Sequence, residues 1–234
     1  MIVVDSGSTD RTAAIAKDYG AKVINFTWNG VYPKKRQWCL DNLETRHDWI
    51  FFVDADEVVL PELTQEIRAL DFRRAGYFVR GRYVLDGRVL RFGLMNNKLV
   101  LFDKSKVEFP VVDDLDAPGM GEMEGHYQPV LKPGFENEDI GQLCQAMLHY
   151  ACEDMKAWTA RHERYAAWER AMNAKAAWPE DPVQARNTIK KTLKRLPFWP
   201  LMAFFHSYVL KLGFLDGRAG FHLAFSRYAY YRMI

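Results

Sequence analysis

Two apolar runs that each end in carboxylates constrain this chain more than any other feature. Ile2-Val3-Val4 leads into Asp5-Ser6-Gly7-Ser8-Thr9-Asp10, and Ile50-Phe51-Phe52-Val53 leads into Asp54-Ala55-Asp56-Glu57. Short apolar runs bounded by turn residues read as buried strands. Two such strands with acidic ends predict a parallel sheet with a polar pocket at its carboxyl edge, where open α/β sheets take their ligands.

The residues between and beyond these runs extend the pattern. A helix is expected over Arg11 to Tyr19, closed by Gly20, then a strand over Ala21 to Phe26, a helix over Lys34 to Leu43 and a strand over Trp49 to Val53. That β-α-β-α-β alternation belongs to a parallel sheet. Pro61 suits the first turn of a further helix to Leu70. From Gly76 aromatic and β-branched runs predict mixed or antiparallel strands at Tyr77 to Tyr83, Val89 to Phe92 and Lys98 to Phe102, with a hairpin at Leu85-Asp86-Gly87-Arg88. An irregular acidic loop follows from Val111 to Gly125, then a strand or loop from His126 to Leu131. Helical periodicity is expected to resume near Ile140 and run through Lys175, and Cys144, Leu148 and Cys152 would share one face of that helix. The fold class is therefore α/β: a Rossmann-like mixed sheet flanked by helices over 1–175, with a helical appendage over 176–234.

With 49% apolar residues in 234, the chain can bury a sizeable core. Three cysteines, Cys39, Cys144 and Cys152, form no CxxC pair and read as reduced thiols. The start shows no basic segment followed by an apolar one, and no run reaches the ~20 apolar residues of a spanning helix, so a cytoplasmic chain is expected. Net charge is only +2, but Thr188 to Ile234 holds eight Lys/Arg against one acid, Asp216, interleaved with aromatics. This is the composition of interfacial helices on anionic lipid, and it predicts peripheral attachment to the inner face of a bacterial membrane; an ordinary helical subdomain or a dimer contact is the competing reading. No nucleic-acid partner is expected.

Aspartates one residue apart at a strand end suit Mg²⁺ or Mn²⁺, which take oxygen ligands and leave positions for phosphates. Asp54 and Asp56 are the candidates, favoured by the apolar run Ile50 to Val53 and by Glu57; the competing reading is that Asp54, Asp56 and Glu57 end a strand and cap the next helix. Asp5 can accept bonds from a ribose hydroxyl or a base N–H, with Ser6, Gly7, Ser8 and Asp10 around it, or can serve the turn alone. Lys34, Lys35 and Arg36 could touch a diphosphate or form solvated surface.

Together the two acidic segments resemble the nucleotide-sugar site of family 2 glycosyltransferases, which have the GT-A fold. The resemblance implies that Asp5 to Asp10, Arg36 and Asp54 hold the nucleotide. It implies that Asp54-Ala55-Asp56 is a DxD element binding Mn²⁺ or Mg²⁺ on a sugar-nucleotide diphosphate, expected to be a UDP-sugar, and that His149 is a late metal or diphosphate ligand. His126 is comparable. Lys98 to Phe102 and Leu148-His149-Tyr150 resemble the bacterial subgroup containing the lipopolysaccharide core β-1,4-glucosyltransferases, which implies inverting transfer to a saccharide or lipid-linked acceptor in cell-envelope glycan synthesis. That subgroup carries a Val-His-Glu element whose carboxylate lies near the acceptor. Here the wording differs, and Glu124 is the first choice for the base, with Asp114 and Glu122 as alternatives. Family members also place a strand and loop ahead of the position of Met1, which this chain is expected to lack. A nucleotidyltransferase and a non-catalytic scaffold at a membrane surface are the other readings.

Overall fold

A computed structural model describes residues 1–125, 127–136, 138–151, 155–179, 181, 196 and 198–234. Strand β1 (Ile2–Asp5), helix α1 (Thr12–Asp18) and β2 (Lys22–Asn25) form the expected unit, with β1 and β2 parallel in the register Ile2↔Lys22 to Asp5↔Asn25. Helix α2 (Lys35–Asn42), β3 (Trp49–Phe51), β4 (Glu57–Val58) and α3 (Pro61–Arg68) follow. Next come β5 (Gly76–Leu85), β6 (Arg88–Val89), β7 (Asn96–Asp103), β8 (Val107–Glu108), β9 (Val130–Leu131) and β10 (Ile140–His149). Helices α4 (Met155–Lys175), α5 (Trp199–Phe205) and α6 (Gly217–Arg232) follow, with a short π-helical turn at His206–Leu210 and a 3₁₀ turn at Gly213–Asp216 between the last two.

The principal sheet runs β3-β7-β5-β10-β4, with β6 folded back on the end of β5. Strands β3, β5 and β10 point the same way; β7 and β4 run against them. Two expectations are corrected here. First, β3 does not extend the β1–β2 pair: its ladder is antiparallel, to β7, and among the described residues no ladder joins the two sheets. Second, the segment from Ile140 to His149 is a strand, paired parallel to β5 and antiparallel to β4. Leu143 and Met147 both point into the core. Residues four apart share a face of a strand as well as of a helix, so their spacing could not choose between the two. Cys144 is accordingly exposed on a strand, and Cys152 lies outside the described residues. The helical appendage expected over 176–234 also lies in part outside them.

Strand β5 is the centre of the core because both its faces are covered. Tyr77 and Val79 meet Leu63 of α3 and Met147 on one side, while Phe78 meets Leu99, Phe102 and Val107 on the other. Each fully buried side chain of this size contributes about 1.5–3 kcal/mol. The C-terminal helices form a separate layer in which Leu90, Ala219 and Leu223 pack together against Tyr83 and Leu85. Closeness in that layer depends on glycine, since a Cβ on Gly220 would stand 1.8 Å from the carbonyl oxygen of Gly213. No helix among the described residues is long and apolar enough to cross a membrane.

Gly220→Ala is expected to separate α6 from the Gly213 turn and to cost about 1–3 kcal/mol, as overpacking generally does. Thermal unfolding followed by circular dichroism checks this, and an unchanged midpoint would contradict it.

Candidate active site

Because β3, β5 and β10 are codirectional, their carboxyl ends share one edge of the sheet. Beyond Phe51 the chain turns tightly: the Glu57 N–H bonds the Asp54 carbonyl at 3.0 Å, and Glu57 Oε2 accepts the Asp54 N–H at 2.9 Å. The same turn starts β4, whose pairing with β10 sets Glu57 opposite His149, while β5 sets Tyr83 on the other side of that histidine. Two ladders thus fix one imidazole. Its Nε2 lies 3.3 Å from Asp56 Oδ2, and its ring stacks on Tyr83 with centroids 5.2 Å apart. The Tyr150 N–H closes the turn on the Asp56 carbonyl at 2.8 Å.

The start of α2 faces this edge, and its three consecutive cations go to three different places. Lys34 is fully buried, and Nζ reaches Asp114 Oδ2 at 2.7 Å. Lys35 Nζ donates to Ser6 Oγ at 2.6 Å, and Ser6 in turn donates to Glu122 Oε1 at 2.5 Å. Arg36 bonds Asp54 Oδ1 at 2.8 Å, while Lys98 of β7 takes Asp54 Oδ2 at 2.7 Å and also pairs with Glu57. Burial alone would push the Asp54 carboxyl up, but the charges and hydrogen bonds of Arg36 and Lys98 outweigh it and hold the group below the usual carboxylate range. At Asp56 burial is likewise outweighed, here by the bond to His149.

The candidate bases separate by environment. Glu124 is buried and accepts the backbone N–H groups of Arg36 and Gln37 at 3.1 and 2.9 Å, so it caps α2 from far along the chain and fills the anion position that a helix start offers. Asp114 is more committed still. Tyr32 Oη donates to Oδ1 at 2.7 Å, and Oδ2 receives both Lys34 Nζ and the Trp168 indole N–H, the latter at 2.9 Å. Both oxygens of Glu124 and of Asp114 already accept hydrogen bonds, whereas Glu122, with 29% of its side chain exposed, is the carboxylate of the three that solvent reaches.

The nucleotide-binding candidates form a closed turn in which Asp5 accepts the N–H groups of Gly7 and Ser8 at 3.2 and 3.0 Å and the Ser8 hydroxyl at 2.5 Å. Those bonds, the hydroxyl first, lower the Asp5 carboxyl. Asp10 accepts the Thr12 N–H at 2.9 Å, ahead of α1. The structure therefore gathers Ser6, Arg36, Asp54, Asp56, Glu122 and His149 along one edge, while His126 lies outside the described residues. Sequence reasoning missed Lys98, Tyr83, Tyr32 and Trp168. A lysine in an otherwise apolar run, Lys98-Leu99-Val100-Leu101-Phe102, is a signal for the first. Nothing local marks the others.

For a divalent cation the donors can be tested directly. Asp54, Asp56 and His149 do not converge: among the described residues no three His, Cys, Asp or Glu side chains form a cation cage, and both Asp54 oxygens already hold cationic side chains. The 3.3 Å between Asp56 Oδ2 and His149 Nε2 does match one edge of an octahedral shell, which at ligand distances of 2.0–2.1 Å is about 3 Å long. A two-donor site of this kind fits a cation that takes its remaining ligands from phosphates and water.

Residues 1–133, more than half of the chain, match the glycosyl transferase family 2 profile, and the chain belongs to that family. Among relatives, it is 43% identical over 67 residues to an uncharacterized glycosyltransferase of Rickettsia bellii, a match covering 29% of this chain and 22% of the relative. The corresponding uncharacterized glycosyltransferase of Rickettsia felis is 46% identical over 70 residues, 29% of this chain and 23% of the relative. A TPR repeat-containing protein of Synechococcus elongatus is 38% identical over 69 residues, 30% of this chain and 17% of the relative. The match spans less than a quarter of the length of each of these relatives.

Asp114→Asn is expected to destabilise the fold by about 3–5 kcal/mol, because it leaves the Lys34 charge buried without its counterion. Equilibrium urea unfolding measures this, and a loss below about 1 kcal/mol would show that Asp114 is not the hub its contacts suggest.

Proposed function

We propose that this chain transfers a sugar, with inversion, from a nucleotide donor expected to be a UDP-sugar to a saccharide or lipid-linked acceptor in envelope glycan synthesis. Membership of family 2 supports glycosyl transfer. The observation that carries the finer reading is the convergence of the Asp5–Ser8 turn, the cations of α2 and the Asp56–His149 pair on one sheet edge. The nucleoside side belongs to the first turn, and the diphosphate belongs to Arg36, Lys98 and Lys35, which a doubly charged leaving group can draw away from their carboxylates. The segments around Lys98 and His149 favour the lipopolysaccharide core subgroup within the family.

Asp56 and His149 would hold Mg²⁺ or Mn²⁺, whose chemistry is to offset the negative charge that develops on a departing diphosphate. The base is Glu122. Its carboxylate, open to solvent beside Ser6, can take the proton of an acceptor hydroxyl as that oxygen attacks the anomeric carbon from the face opposite the leaving group. Glu124 and Asp114 serve instead to hold the base-bearing loop on α2 and α4.

Two experiments test this reading. Calorimetric titration of UDP should show binding that requires Mn²⁺ and is lost in Asp56→Asn, whose turnover should fall about a hundredfold if metal positioning is worth ~3 kcal/mol. Full turnover in excess EDTA would sink the metal assignment, and absence of UDP binding under any condition would favour the scaffold. For the base, Glu122→Gln should keep the melting temperature and UDP affinity while losing transfer, whereas Glu124→Gln should lower the melting temperature by weakening the cap on α2. A Glu124→Gln protein that melts normally, binds UDP and does not turn over would return the role to Glu124.

A further inference from the structure

Among the described residues 24 large apolar side chains are exposed, and 12 of them fall between Leu196 and Phe225, in a short stretch of the C-terminal layer. The most exposed of these are Leu210 at 73% and Phe198 at 69%, with Leu215, Phe205 and Phe225 at about half. Soluble monomers scatter such residues singly, and a concentration of this kind marks an interaction face.

Charge narrows the partner. The exposed cations Lys211, Arg218 and Arg232 lie among these apolar side chains. The single acid of the stretch, Asp216, is turned inward, its carboxylate accepting the backbone N–H groups of Arg91 and Phe92 at 3.2 and 2.8 Å. The outward field is therefore positive. A symmetric dimer through this face would press two copies of the same positively charged patch together, which like-charge repulsion disfavours.

We propose that the α5–α6 layer is a bilayer-docking face that lies in the interfacial zone of anionic lipid, with its phenylalanines and leucines in the acyl boundary and its lysines and arginines among the phosphates. Apolar contact and attraction to lipid phosphate act together there, and neither alone holds a protein firmly at a membrane. The helices are too short to span and need only lie flat.

The layer is bolted to the catalytic edge. The Gly93 N–H bonds the Lys211 carbonyl at 2.8 Å, and Leu223 packs against Tyr83, whose ring stacks on His149. Docking would therefore set the His149 edge at a fixed position relative to the lipid surface. The lipid-linked character of an acceptor follows only if the transfer reading of the preceding subsection holds; the docking itself does not depend on it.

Co-sedimentation of the full chain with vesicles, without nucleotide, tests the proposal separately from transfer. Vesicles of equimolar phosphatidylglycerol and phosphatidylcholine should carry the protein down, high salt should weaken the binding, and pure phosphatidylcholine should bind far less. Phe198→Ser with Leu210→Ser, and separately Lys211→Glu with Arg218→Glu, should each reduce partitioning at least tenfold while leaving the melting temperature unchanged, because all four side chains are exposed. The proposal is overturned if the wild-type chain stays in the supernatant with anionic vesicles, or if both variants partition as it does. It is equally overturned if sedimentation velocity shows a dimer that the Phe198→Ser, Leu210→Ser variant dissolves, since that would seat a second copy on this face.

Discussion

The first turn of α2 holds the site together. A helix start exposes four unpaired N–H groups and a partial positive charge, and here three side-chain cations are added to it. Such a concentration of charge must be answered. Glu124 answers the backbone, Asp114 answers Lys34 in the interior, Glu122 and Ser6 answer Lys35, and Asp54 answers Arg36. The β1 turn, the β3 turn and the loop before β9 are thereby tied to a single short helix, although they are far apart in the chain. The loop is held from its other side as well, because the Trp168 indole of α4 shares the Asp114 carboxylate and its ring leaves no room for a Cβ on Gly125.

A second constraint is the register of β10. This strand is pinned by parallel pairing to β5 and antiparallel pairing to β4, so a slip of one residue would turn every side chain to the opposite face. His149 thus stays beside Asp56 while its buried Nδ1 has no hydrogen-bond partner among the described residues. Backbone pairing and the Tyr83 ring fix the imidazole where a second hydrogen bond would otherwise orient it.

Much of this was legible in the residues, for physical reasons that differ between elements. The acidic strand ends, the β1-α1-β2 unit and α3 are written in local apolar spacing and turn chemistry, and they appear where expected. The assignment of 140–149 failed because its spacing satisfies two periodicities at once. Pairing partners were not legible either: nothing in Trp49-Ile50-Phe51 says that its neighbour is β7 rather than β1. The same holds for the acids between Asp113 and Glu124. Sequence could name the three candidate carboxylates, but only the fold shows that two of them face inward to lysine, indole and helix N–H groups.

Lys35, Arg36 and Lys98 are each matched by a carboxylate, Glu122, Asp54 and Glu57, and Asp56 adds a fourth beside His149, so the site holds no excess of positive charge before any ligand enters. On the proposed reading a phosphate ligand would arrive by exchange, taking over partners that carboxylates already hold, and not by filling an open positive well. The attraction it feels from a distance is weak, and most of its selectivity must come after contact, when the displaced carboxylates are released for other partners. In such a pocket ionic strength should bear little on how fast a nucleotide arrives and more on how long the exchanged arrangement lasts.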